Sequence, residues 1–196
     1  MGKSFELLGL ATFNIFIAII AATTFMSGEN IGVSKLDRSN VTAFINEVTQ
    51  VSGGLREDMD PYSVAMYFKK HIKEDGKFVS RIDYSIPDYP ETTRDLEMDR
   101  ETYISHVLQV MKDFDKHEAA VRIENVEIMN DGRAALVVTT NYERGVIPVQ
   151  GIMGDAQMLP VTGTSFCEQE VVLSDKKIIQ MAEAECKTNI AFADAY

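Results

Sequence analysis

Few residues in this chain carry ready-made chemistry, and the two cysteines and three histidines come first. His71, His106 and His117 show no i, i+4 spacing and no Cys-x-x-Cys companion, so they do not read as a metal set. There is no G-x-S-x-G elbow, no phosphate loop and no dinucleotide fingerprint. A cysteine nucleophile needs a free thiolate. The state of Cys167 and Cys186 therefore decides whether that chemistry is available.

Both cysteines fall in the stretch Thr164 to Lys187, which reads as two strands around the polar turn Ser174-Asp175-Lys176-Lys177. With the turn centred between Lys176 and Lys177, Cys167 lies directly opposite Cys186. Glu168 then faces Glu185, and Glu170 faces Glu183, so that face must be solvated. Directly opposed residues have Cβ atoms about 4.5–5.5 Å apart, near disulfide reach. The pair reads as a cross-strand disulfide; the other reading is two free, buried cysteines acting as small hydrophobes.

The N-terminus bears on that choice. Lys3 precedes an apolar run from Leu7 to Ala22, and small residues follow. That layout is an export signal. It reads either as a cleaved signal peptide or, counted on to Met26, as an uncleaved membrane anchor. Both place the rest of the chain in the periplasm or outside the cell, where disulfides persist. The expected organisation is a leader over residues 1–28, a linker over 29–38, one domain over 39–190 and a short tail over 191–196. The formal net charge of −11 argues against nucleic acid and anionic lipid headgroups as partners.

Three helices are expected to position the remaining residues. The first is Asn40 to Val51, with Val41, Phe44, Ile45 and Val48 as its stripe and Ser39 or Asn40 as its cap. Asn40-Val41-Thr42 also has the form of a glycosylation sequon. The second starts at Asp60-Pro61 and is closed by Asp75-Gly76, with glycine as the left-handed residue. The third is Asp99 to His117. A strand from Phe78 to Ile86 precedes the Pro87-Asp88-Tyr89-Pro90 loop. Val121 to Met129 is a strand whose alternation changes phase at Asn125, as a bulge would make it. Asn130-Asp131-Gly132 turns the chain into Ala134 to Glu143, and an irregular connection from Gly145 to Thr164 leads to the clipped hairpin. The fold class is α+β: three helices packed against a curved, mainly antiparallel sheet, preceded by the hydrophobic leader helix.

Residues Leu36 to Lys187 resemble the cone-shaped superfamily named after nuclear transport factor two. The resemblance rests on "KFVSRIDY", on "MDRETYISHVLQVMKDFDKHEAAVRIENVEIMNDGRAALVVTT" and on the final hairpin. The run "TNYERGVIPVQG…MLPVTGTSFCEQEVVLSD…IIQMAEAEC" is similar to exported bacterial members of undefined role. This scaffold hosts isomerases, dehydratases and plain binding domains, so fold alone implies no activity.

The resemblance does suggest where to look. An isomerase of this fold would need a cavity carboxylate with acidic donors opposite, and Asp83 with Tyr67, Tyr84 and Tyr103 are the candidates. A dehydratase would need a histidine paired with a carboxylate, and His71 and His106 lie on or beside apolar helix faces. The plainer expectation is that Asp83 meets Arg81 or solvent, and that the histidines are packed core residues. Val146, Ile147, Ile152, Met153 and Met158 form a candidate partner loop. The expected function is an exported, non-catalytic domain binding a protein or a small apolar ligand, with a small-molecule isomerase or dehydratase as the alternative. No cofactor and no metal are expected; an inner-membrane tether and a homodimer are both left open.

Overall fold

A computed structural model describes residues 33–54, 56, 58–85, 90–113, 115–150 and 156–192. The leader, Ile86 to Tyr89, Ile152, Met153 and the last four residues lie outside these. Among the described residues, no helix is long and apolar enough to cross a membrane.

Helix α1 spans Arg38–Ser52 and begins earlier than expected. Its cap is Asp37, whose Oδ1 accepts from the Asn40 amide at 2.9 Å while Asn40 Oδ1 accepts from the Asp37 amide at 3.0 Å. This reciprocal box is a stronger start than a lone serine or asparagine cap. The Asn40 side-chain amide also donates to the Lys35 carbonyl, so this residue serves the helix start. Helix α2, Pro61–His71, has the expected Asp60 cap and proline start.

The end of α2 differs from expectation. It stops at His71, and Ile72 passes at once into strand β1, Ile72–Ser85. Gly76 is therefore a strand residue and not a helix terminator. A Cβ there would lie 2.9 Å from the Lys73 carbonyl oxygen and 3.3 Å from that of Ala182. The glycine lets an irregular segment of β1 lie close to its neighbour, where the β1 register slips between Ile72 and Lys77.

Strand β2, Thr92–Asp99, was not expected. Its burial is almost all exposed, as for an edge strand, so its sequence carries no apolar alternation. Asp99 caps helix α3, Arg100–Asp113, by accepting from the Thr102 amide at 2.8 Å. That helix ends four residues before His117, and strand β3, Asp115–Met129, takes over. The expected bulge is there: the β3 register slips between Ile123 and Asn125. Asn130, Asp131 and Gly132 all have positive φ in the turn that follows.

Strand β4 is Ala134–Gln150, β5 is Ala156–Leu173 and β6 is Ile179–Phe192. The stretch expected as an irregular connection is instead mostly the far half of the β4–β5 hairpin, paired from Gly145 with Val161 out to Gln150 with Ala156. Six strands form one curved sheet in the order β2-β1-β6-β5-β4-β3. Among the described residues, only β1 with β6 is parallel.

Cys167 pairs with Cys186, and they form a disulfide with Cα atoms 4.2 Å apart. Glu168 faces Glu185 and Glu170 faces Glu183, as expected. Closer to the turn the register slips by one, so Val171 meets Met181 and the adjacent Met181 and Ala182 are both buried. The helices cover the turn end of the concave face, where Phe68, Phe78 and Tyr103 pack around the largest apolar cluster. Each such aromatic contributes about 2–3 kcal/mol on burial.

Two measurements check this architecture. Replacing both cysteines with serine should lower stability by about 2–4 kcal/mol in chemical denaturation, and reductant should do the same to the wild type. Gly76→Val should cost about 1–3 kcal/mol, because the backbone on both sides cannot give way.

Candidate functional site

Strand register lays the concave face out in rows. Through the disulfide runs the row Leu96, Ser80, Cys186, Cys167, Thr139, Ile123. The next row holds Ile82, Thr188, Ser165, Asn141 and Val121. Beyond it stand Tyr84, Ile190, Gly163, Glu143 and Ala119.

The middle of this face is polar and internally satisfied. Ser165 Oγ lies 2.9 Å from Thr188 Oγ1, Gln169 Nε2 donates to Thr139 Oγ1 at 3.0 Å, and Asn141 Nδ2 points at Cys167 Sγ at 3.4 Å. All of these residues are buried. Their hydrogen bonds replace those lost to water, which is the condition for keeping them there.

Glu143 is different. Its side chain is 1% exposed, and neither carboxylate oxygen has a hydrogen-bond donor among the described residues. His117 Nε2 stands 3.5 Å from its Oε2, an ion-pair distance that is long for a good hydrogen bond. His117 Nδ1 lies 2.6 Å from the Gly53 carbonyl at the end of α1, so Nδ1 carries a proton and donates it there. A lone pair on Nε2 facing a carboxylate would repel it, so one proton must reside between the two groups. Burial pushes the Glu143 carboxyl up to about 7, against the lowering pull of His117. Burial alone would depress His117, but its bond to Glu143, that carboxylate's charge and the Gly53 carbonyl outweigh it and raise its pKa. The arrangement can hold, give or take a proton near neutrality.

Two glycines flank Glu143 on one side. Its cross-strand neighbour is Gly163, and Gly145 is the next residue of β4 on the same face. Beside and past them lies a second apolar cluster of Ile82, Ile147, Val161, Ile190 and Phe192. Among the described residues that cluster is made of strands alone, whereas the first includes all three helices.

The residues singled out from sequence are dispersed. Tyr103 is packed between Phe68 and Phe78, and burial raises its pKa. Tyr67 stacks on His71 at 4.5 Å, and its buried hydroxyl has no hydrogen-bond partner among the described residues. Burial raises the Tyr67 pKa and lowers that of His71, whose Nδ1 meets the Ile179 carbonyl at 2.9 Å and ties α2 to β6. His106 is buried on α3. Asp83 is on the outer face of β1, where it accepts from Thr93 Oγ1 and not from Arg81. Tyr84 packs at the strand-only cluster, three strands away from Glu143, roughly 14 Å across a flat sheet. Of the partner-loop residues, Ile147 is buried in that cluster, Val146 is half-buried and Met158 is exposed.

Periodicity alone puts His117 at the end of a helix, away from Glu143, whereas it stands in strand β3. A signal did exist. Val137, Thr139, Asn141 and Glu143 share one parity, so the strand's inward face carries a carboxylate.

Both members of the pair have folded pKa values above their unfolded ones. The folded state therefore holds extra protons, and the stability they confer is full below about pH 4.5 and lost as pH rises through 7. Glu143→Gln removes the carboxylate charge. Its stability relative to wild type should rise by roughly 1–3 kcal/mol between about pH 5 and 8 in matched denaturation curves. A constant difference would mean that the pair does not titrate there.

No protein-family model matches the sequence, and no curated protein matches it. Among solved structures the chain is similar to a conserved protein from Planctomyces limnophilus, at 14% identity and TM-score 0.48, over 77% of this chain and 98% of that one. A nuclear transport factor 2-like superfamily protein from Salmonella enterica serovar Typhimurium gives 11% identity and TM-score 0.41, over 76% and 92%. A ketosteroid isomerase-like protein from Erwinia carotovora gives 14% and 0.39, over 76% and 92%. Similarities this distant carry no inference about activity. Helices ahead of a bent, six-stranded sheet, ordered and paired as above, give this chain a cone-shaped α+β fold.

Proposed function

We propose that this chain is an exported domain that binds a small, mostly apolar molecule at the strand-only end of its concave face. The observation that carries this reading is Glu143, a buried carboxylate whose Oε2 meets His117 Nε2 only at a long 3.5 Å and whose Oε1 has no donor among the described residues. Leaving such acceptors unsatisfied costs free energy that the fold must offset elsewhere. A ligand that brings an N–H or O–H group to Glu143 removes that cost. Ile147, Val161, Ile190 and Phe192 would hold its apolar body, and the absent side chains of Gly145 and Gly163 leave the approach open. A buried disulfide points to an oxidising, non-cytoplasmic compartment. With the leader, the periplasm or cell exterior is the place where such a ligand would be met.

A second reading has its own support. A carboxyl group titrating near neutrality is suited to moving a proton next to a carbonyl, as in an isomerase or dehydratase. In that case Glu143 is the base, through Oε1, and His117 positions it and supplies the compensating charge.

Fragment binding followed through the ring signals of isotope-labelled His117 tests both. Cyclohexanol and cyclohexylamine should shift those signals, methylcyclohexane should not, and Glu143→Gln should weaken the response at least about ten-fold, the worth of one charged hydrogen bond. Equal binding by the variant would overturn the assignment. Protein-dependent deuterium uptake next to the carbonyl of cyclohexanone in heavy water would establish the catalytic form; binding without exchange would establish the non-catalytic one.

A further inference from the structure

The net negative charge is not spread evenly. Three separate segments bring cations together at the turn end of the domain, where the chain enters the fold. The Leu36 amide donates to the Gly132 carbonyl at 2.7 Å, which seats Lys35 against the β3–β4 turn. The Leu173 amide donates to the Arg133 carbonyl at 2.9 Å, which sets the β5–β6 turn beside it. Lys35, Arg38, Arg133, Lys176 and Lys177 are all exposed at this end.

Three acidic groups stand among them. Asp37 accepts from the start of α1, Asp175 pairs with Arg133 at 3.0 Å, and the third, Asp131, is exposed in the β3–β4 turn. Lys35, Arg38, Lys176 and Lys177 make no ion pair among the described residues. Five cations against three carboxylates leave a local excess of two positive charges at this end, on a protein whose formal charge is −11.

We propose that this end is a docking surface for anionic lipid headgroups, and that the domain stands on the membrane with its strand-only end facing away. Geometry favours this partner over a free one. The seven-residue step from Met26 to Val33 reaches at most about 25 Å, so a leader held in a bilayer keeps the turn end at its surface. Ile147, in the second apolar cluster, lies roughly 40 Å further along β4 from Ala134. The proposed ligand site would then open toward the aqueous compartment. Cations held within a Debye length of a negative leaflet add to a single anchor, which otherwise leaves the domain free to swing.

The test uses the full chain reconstituted in vesicles of phosphatidylcholine alone or with about 30% phosphatidylglycerol. A water-soluble amine acylating reagent is applied, and each lysine is read by mass spectrometry. In anionic vesicles Lys35, Lys176 and Lys177 should be labelled about five-fold more slowly than in neutral ones, and about 0.5 M salt should abolish the difference. The exposed Lys112 and Lys187, on α3 and mid-β6, should not change. Lys176→Gln with Lys177→Gln should remove the lipid dependence at Lys35. Flotation with both vesicles but equal labelling would overturn the docking surface. Failure to float with neutral vesicles would overturn the anchor and the surface together, while leaving ligand binding at Glu143 untouched.

Discussion

Cys167 and Cys186 face each other across the two middle strands of the sheet, and that bond holds in place the row from which the concave face is read. Side chains alternate along a strand, so a slip of one residue between β5 and β6 would turn the whole inward set outward. The bond forbids that slip at the centre. It also explains why direct Glu168–Glu185 and Glu170–Glu183 oppositions are tolerated on the outer face. The repulsion is screened by water there, and moving the register to relieve it would empty the core.

From this fixed row the two ends of the concave face diverge. Toward the turns, bulges in β1, β3 and at the β5–β6 junction bend the sheet around the helices, and large apolar side chains fill the space. In the other direction the rows become polar, then reach Glu143 and His117, and then turn apolar again without a helix among the described residues. A packed core has no use for an ionisable pair of that kind. Burying it opposes stability, and similar volumes of apolar side chain would do better. The pair stands at the boundary between polar and apolar rows, beside two glycines, and this placement is what supports the proposed ligand site.

The cationic end lies at the start of β4 and Glu143 near its middle, so the two proposed surfaces can vary separately. The outer face keeps most of its charge in water, with exposed pairs such as Arg144–Glu118 contributing little to stability.

Much of this was legible from local pattern alone. Apolar stripes placed α1, α2 and α3, Asn130-Asp131-Gly132 placed a turn, the phase change at Asn125 placed a bulge, and the turn at Ser174 placed the two cysteines opposite each other. These features rest on interactions between residues a few positions apart, or across one tight turn, where the chain itself sets the geometry. Strand β2 was invisible because an exposed edge needs no apolar alternation, and the far half of the β4–β5 hairpin was hidden by its glycines and prolines. The helix-to-strand changeovers at His71 and before His117 were set by pairing with distant strands. The meeting of His117 with Glu143 and Gly53 joins three distant segments through the curvature of the whole sheet. No local preference encodes such a meeting, so only the tertiary structure could decide it.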